Sequence, residues 1–157
     1  MLQFATERHA GQLRKYTNEP YIVHPIQVCG MVSTLYSSET MKCIALGHDL
    51  IEDTETTFQE LNDIFGLQIA HGIHLLSDME TGNRATRKAL SRERLALAPA
   101  HIQDIKVCDL ICNTPSIVTH DPEFAKVYLK EKKLLLDVLT KASPELILMA
   151  RQQIEVY

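Results

Sequence analysis

Apolar residues recur three and four positions apart along almost the whole chain, and no run alternates apolar with polar residues between hairpin turns. That period is helical, and it dictates an all-α fold. A first helix is expected from Leu2 to about Lys15, ended by the TNEP segment, with Pro20 forcing an extended approach to Tyr21. A second opens at His24–Pro25, where proline suits the first helical turn, and runs to Leu35. A third starts behind Ser37 and Ser38 as N-caps and closes on His48–Asp49. Thr54, Thr56 and Thr57 then cap a short helix to Phe65, and Gly66 separates it from the next, which begins at Leu67. SDMETGNRATRK reads as an exposed basic loop before a helix over Lys88–Ala98. Beyond Pro99 the helical period carries Ile102, Ile105, Asp109 and Asn113, a long helix follows from about Pro122 to Lys141, and Ser143–Pro144 opens a last one.

The 157 residues suit a single domain spanning the chain, and 45% hydrophobic with 23% charged residues are values of a chain folded throughout. Lysine and arginine number 16 against 20 acidic residues, a net charge of −4, which argues against nucleic acid as a partner because backbone binding needs a basic face. No apolar run approaches the roughly 20 residues of a membrane span, and the charged N-terminus is unlike a signal peptide. The expectation is a cytoplasmic protein with no membrane partner, and a homo-oligomer stays open. The cysteines Cys29, Cys43, Cys108 and Cys112 form no CxxC pair and fit buried thiols of a reducing compartment, although Cys108 and Cys112 are also spaced as a zinc pair would be.

The run GHDLIEDT sets an imidazole and a carboxylate side by side, His48–Asp49, followed by Glu52 and Asp53. With His24 in PYIVHP upstream and Asp109 in IKVCDLICNT downstream, the order of candidate ligands is that of a divalent metal site. Such a centre binds phosphate and activates water. Mixed imidazole and carboxylate donors suit manganese, iron or zinc better than magnesium, and Mn2+, one ion per chain, is the first choice. Asp109 lies among apolar neighbours, where a carboxylate needs either a cation or its neighbour Lys106, three residues earlier on the same face. Glu52 shares the face of the metal pair if the helix continues one turn, where it would handle the proton of a water. Asp53 is either a second acid or part of a cap with Thr54 and Thr56. Asn113, four residues after Asp109, either holds a phosphate or closes its helix before Thr114–Pro115.

Basic residues gather at Arg14–Lys15, taken as the end of the first helix, at Arg84, Arg87 and Lys88, and at Lys126, Lys130, Lys132 and Lys133, the last group reading as a solvated helix face. Arg14 could hold phosphate in a fork, and either Arg14 or Lys15 could lie over a purine. Tyr128 is core or a hydroxyl offered to a ligand.

AGQLRKYTNEPYIVHPIQV, ALGHDLIEDTETTFQELNDIFG and IKVCDLICNT together resemble the hydrolase domain of the RelA/SpoT homologues, in particular the small alarmone hydrolases similar to the metazoan SpoT homologue, over about Phe4 to Leu136. The resemblance implies an all-α HD-superfamily bundle with a metal site between helices. It implies manganese-dependent removal of the 3′-diphosphate of guanosine tetra- or pentaphosphate, giving pyrophosphate and GDP or GTP, with no synthetase domain. Position by position, His24, His48, Asp49 and Asp109 match the metal ligands, Glu52 and Asp53 the catalytic acids, and Asn113 the asparagine at the scissile phosphate. Arg14 and Lys15 match the pair beside the nucleoside, and Tyr128 a tyrosine of its pocket; the basic loop, Arg87 with it, is expected to face the 5′ phosphates. Gly47 departs from the apolar residue usual before the HD pair, the leading segment is short, and the basic loop differs. Rival readings are hydrolysis of another nucleotide, such as an adenosine alarmone, NADPH or a deoxynucleotide, and a sensor that binds an alarmone without turnover.

Overall fold

The computed structural model describes residues 1–157, all in helices and the turns between them, with one isolated antiparallel bridge between Leu13 and Pro20. The chain packs as two compact units, Met1–Met79 and Glu80–Tyr157.

The first unit holds α1 (Leu2–Arg8), α2 (Val23–Ser33), α3 (Glu39–Gly47), the single turn α4 (Leu50–Asp53), α5 (Phe58–Phe65) and α6 (Leu67–Leu76). Its core is made by Ala5, Val28, Val32, Ile44, Ala45, Leu50, Leu61, Ala70 and Ile73. Helix α1 is shorter than the periodicity predicts, because the chain turns at Gly11, whose φ is +80°. Residues 12–21 double back instead: the Arg14 N–H donates to the Glu19 carbonyl at 2.8 Å, and the Tyr21 N–H to the Gln12 carbonyl at 2.9 Å. Arg14 and Lys15 therefore sit in this excursion and not at a helix end. Thr57 caps α5 by accepting from the Glu60 N–H at 3.2 Å, as its position predicts.

Helices α3 and α6 close on each other through two glycines. A Cβ on Gly47 would stand 2.5 Å from Ile73 Cδ1, and one on Gly72 would stand 2.5 Å from Ile44 Cδ1. Each glycine is the hole for the other helix's isoleucine, which accounts for Gly47 just before His48. The approach fixes the C-terminal end of α3 against buried core, and His48 follows at once.

The second unit holds α7 (Arg84–Leu97), α8 (Ala100–His120), α9 (Pro122–Leu136) and α10 (Pro144–Val156). Asn83 caps α7 by accepting from the Thr86 N–H at 2.9 Å, so Arg84, Arg87 and Lys88 belong to its first turns and not to a loop. Arg84 is committed to Glu131 on α9 through two bonds of 2.7 Å and lies over the Phe124 ring. Buried Gln103 donates to the Leu95 carbonyl near the end of α7 at 2.9 Å and accepts from the Lys141 N–H at 2.9 Å, so a polar residue at 0% exposure is satisfied on both sides.

Helix α8 does not stop at Asn113 but runs through Pro115 to His120. A proline there removes one N–H and frees the carbonyl four residues back, that of Ile111. The Gln153 Nε2 on α10 donates to this carbonyl at 3.1 Å, and Gln153 Oε1 in turn accepts from Lys132 Nζ at 2.7 Å. Lys132 also donates to Thr114 Oγ1 at 2.8 Å. The helix survives its proline because a neighbouring helix takes up the freed acceptor. Lys132 is thus 1% exposed, contrary to the solvated face expected for it. Burial lowers its pKa from 10.5 to about 8.

Between those two values the unfolded chain binds the proton that the folded chain has released, so this group makes the fold more stable as pH rises from about 8 towards 10. Cys108 works the other way, its thiol pushed up by burial from 9.0 to about 12, so the informative quantity is a difference. Denaturant unfolding of wild type and Lys132→Met is expected to show wild-type stability gaining on the variant across pH 8–10, by less than about 1.4 kcal/mol per pH unit. A gap that stays flat with pH contradicts the assignment.

Candidate metal centre

Helix α2 begins one residue before His24, and α3 ends one residue before His48, so helix boundaries bring the two imidazoles together with their rings 5.1 Å apart, edge to face. His24 is 1% and His48 3% exposed. Asp49 joins them because the chain turns between α3 and α4: its Oδ2 stands 3.1 Å from His48 Nε2 and 3.6 Å from His24 Nε2. Two ligands at about 2.1 Å from one ion stand ~3.0–3.5 Å apart, so the three donor atoms are spaced as neighbours around a single divalent cation. All lie within 4.8 Å of one another.

One hydrogen bond decides the chemistry of His48. Its Nδ1 is 2.7 Å from the Ala45 carbonyl. A carbonyl only accepts, so Nδ1 carries the hydrogen, and in the neutral ring Nε2 is left as the lone pair facing Asp49. That is the tautomer a metal ligand requires, set by the last turn of α3.

Tyr21 lies beside the group. Its hydroxyl is 2.8 Å from Asp49 Oδ2 and 2.9 Å from Asp53 Oδ2. Burial first, then the two carboxylates, push the Tyr21 phenol far above its usual range, so it stays protonated. The Asp53 pKa is raised, chiefly by loss of solvent and next by Asp49, while the Tyr21 hydrogen bond opposes the rise. This favours the acid form at Asp53 more than at an ordinary surface aspartate. Glu52 belongs to α4 and is exposed; its Oε2 accepts from the Asp78 N–H at 2.9 Å. Arg14 packs its guanidinium 5.7 Å from the Tyr21 ring centre, and Lys15 lies over Tyr16 and donates to its hydroxyl at 3.1 Å.

The remaining expected site residues belong to the second unit. Asp109 is buried on α8, with Oδ2 accepting from Lys106 Nζ at 2.9 Å and Oδ1 from Asn113 Nδ2 at 2.7 Å. The pairing with Lys106 that the spacing allows does form, and Asn113 is in mid-helix, not a C-cap. The Tyr128 hydroxyl donates to the Leu110 carbonyl at 3.3 Å and lies 3.3 Å from Thr114 Oγ1, and burial raises its pKa. Arg87 is exposed on α7. The sequence reading missed Tyr21, Gln12 and His9 around Asp53. Tyr21 carried a signal: it stands three residues ahead of His24, whose N–H donates to the Tyr21 carbonyl at 3.0 Å, so one turn of chain presents both.

Comparison with known proteins gives this geometry a family. The profile of the HD domain matches residues 2–108. The chain belongs to the HD-domain family. Among curated relatives, a guanosine-3′,5′-bis(diphosphate) 3′-pyrophosphohydrolase of Aquifex aeolicus is 31% identical over 132 residues, covering 82% of this chain and 19% of that protein. A GTP pyrophosphokinase of Myxococcus xanthus is 36% identical over 110 residues, covering 66% of this chain and 14% of that one. This HD chain thus spans less than a fifth of the length of these curated relatives. A solved structure described as a metazoan orthologue of SpoT that hydrolyses ppGpp superposes with a TM-score of 0.92 at 25% identity, covering 99% of this chain and 92% of that one. The all-α HD fold expected from the motifs is therefore the fold observed. No helix is long and apolar enough to cross a membrane.

If His24, His48 and Asp49 hold one ion, the folded state gains by about RT ln(1 + [M]/Kd), or ~2.7 kcal/mol at a hundredfold excess over Kd. Melting the protein with and without a divalent transition metal is expected to show an upward shift in wild type and almost none in His48→Ala. Equal shifts in both would place the ion elsewhere.

Proposed function

We propose that this chain, a single HD-type hydrolase domain over residues 1–157, is a manganese-dependent hydrolase that removes the 3′-diphosphate of guanosine 3′,5′-bis(diphosphate) and related alarmones. The observation that carries the reading is the convergence of two buried imidazole nitrogens on Asp49, with the raised acid Asp53 one hydroxyl away. The named activities of the Aquifex relative and the metazoan SpoT orthologue supply the substrate class. The donor set, nitrogen with carboxylate oxygen, suits manganese over magnesium. Asp109 enters as the fourth ligand from its motif, a carboxylate in an apolar stretch that a cation would offset. Four free cysteines suit a reducing cytoplasm.

An ion at this site supplies a Lewis acid for the phosphoryl group and lowers the pKa of a water. The protein's own groups then set up the reaction. Water adds to the phosphorus that bears O3′, the P–O3′ bond breaks, and the proton given up by water is handled by Glu52 and Asp53 and delivered to O3′. Asn113 holds the phosphate, Arg14 and Lys15 flank the nucleoside, Tyr128 lines the nucleoside pocket, and Arg87 faces the 5′ phosphates. The products are pyrophosphate and GDP, or GTP from the pentaphosphate.

Incubation with guanosine tetraphosphate and Mn2+ is expected to release pyrophosphate and GDP in equal amounts, and Asp49→Ala to lower the rate at least ~100-fold. No pyrophosphate, or release untouched by Asp49→Ala, overturns the proposal. Turnover of an adenosine alarmone, NADPH or a deoxynucleotide in its place identifies a different nucleotide hydrolase, and tight binding without turnover a sensor.

A further inference from the structure

We infer that Tyr21 is a positioning residue, a single hydroxyl that holds the metal-ligand carboxylate of Asp49 and the acid Asp53 in one fixed relation. The inference rests on the metal-dependent hydrolysis proposed above and assigns a role in it to a residue outside the HD motif. The oxygen of Asp49 that faces both imidazoles, Oδ2, is the one that lies 2.8 Å from the Tyr21 hydroxyl. A carboxylate oxygen has two lone-pair directions, so this one can face an ion with one while the phenol occupies the other. Without that contact Asp49 loses one of the groups that fix its last torsion, which is soft. The same hydroxyl lies 2.9 Å from Asp53 Oδ2, four residues further on, so its one proton is shared between the two carboxyl groups.

Tyr21 is itself held from three sides. Its ring stacks on His9 at 4.8 Å between centroids, its N–H donates to the Gln12 carbonyl at 2.9 Å, and Arg14 lies over the ring. Gln12 links the arrangement to Asp53 a second time, since its Nε2 donates to the Asp53 carbonyl at 2.7 Å. That bond fixes the amide orientation, so Oε1 is the acceptor for His9 Nδ1–H at 2.8 Å, and the His9 ring is set as well. His9 is buried at 3% exposure, a costly place for an imidazole with no part in the site unless it braces something. The excursion of residues 9–21 thus serves as a brace behind the metal group.

Tyr21→Phe removes the hydroxyl and keeps the ring, with its stacking on His9 and Arg14. Loss of a group that orients a ligand typically lowers metal affinity or activity 10–100-fold. Titration calorimetry of metal-free protein with MnCl2 is expected to show Mn2+ affinity at least ~10-fold weaker in Tyr21→Phe than in wild type. At saturating Mn2+, kcat on guanosine tetraphosphate is expected to stay down by ~10-fold or more while KM moves less than about 2-fold. Gln12→Leu, which removes the bond to the Asp53 carbonyl and the acceptor of His9 but keeps the Tyr21 hydroxyl, is expected to lower kcat more than it lowers Mn2+ affinity. Unchanged affinity and kcat in a folded Tyr21→Phe overturn the inference, as does kcat fully restored by excess Mn2+, which would leave Asp53 independent of Tyr21. If Tyr21→Phe does not fold, a structure of the Mn2+-bound wild type in which the Tyr21 hydroxyl has left Asp49 or Asp53 overturns it. A wild type that binds Mn2+ but leaves the alarmone intact fails the substrate reading, and the affinity comparison still decides Tyr21; a wild type that binds no Mn2+ removes both.

Discussion

Two imidazoles nearly sealed from water beside one carboxylate form the constraint on which the first unit turns. Left among apolar side chains, such a group would be a liability, because buried polar atoms need partners. The helices instead point it at a common centre: His24 at the start of α2, His48 past the end of α3, Asp49 in the turn before α4. The bond from His48 Nδ1 to the Ala45 carbonyl settles the tautomer. The glycine holes that join α3 to α6 anchor the helix carrying that carbonyl. Core packing and ligand geometry are therefore one device, since moving α3 by a methyl group would move the His48 lone pair with it.

The second unit meets a different difficulty and solves it with polar side chains. Pro115 lies within a 21-residue helix and leaves the Ile111 carbonyl without its helical partner. Gln153 fills the vacancy and Lys132 holds Gln153, at the cost of burying an amine whose pKa falls to about 8. The same helix carries Asp109, with its oxygens engaged by Lys106 and Asn113. Continuity of α8 through the proline keeps that stretch of α8 helical.

The helical class, the order of elements and the three residues that could hold a metal ion were legible in the sequence because each is marked locally. Period marks the helices, proline and glycine mark their ends, and adjacent His48–Asp49 in an apolar run is hard to explain without a cation. What was not legible depends on partners distant in sequence. The doubling back of residues 12–21 shortened α1 and moved Arg14 and Lys15 off a helix end, which no period could reveal. Lys132 looks solvated in the row of lysines, and only the freed carbonyl of Ile111, by way of Gln153, explains its burial. Tyr21 stands next to Pro20 and reads as a turn residue until Asp49 and Asp53 are brought to its hydroxyl from 28 and 32 positions away.

The most direct measurement is crystallographic: anomalous diffraction at the manganese edge from crystals grown with MnCl2. The expected map has one peak per chain, about 2.0–2.3 Å from His24 Nε2, from His48 Nε2 and from an Asp49 oxygen, with the Tyr21 hydroxyl still on Asp49. A peak remote from these three atoms, or none at saturating manganese, would contradict the assignment of the buried imidazoles and their carboxylate as the centre of the protein's chemistry.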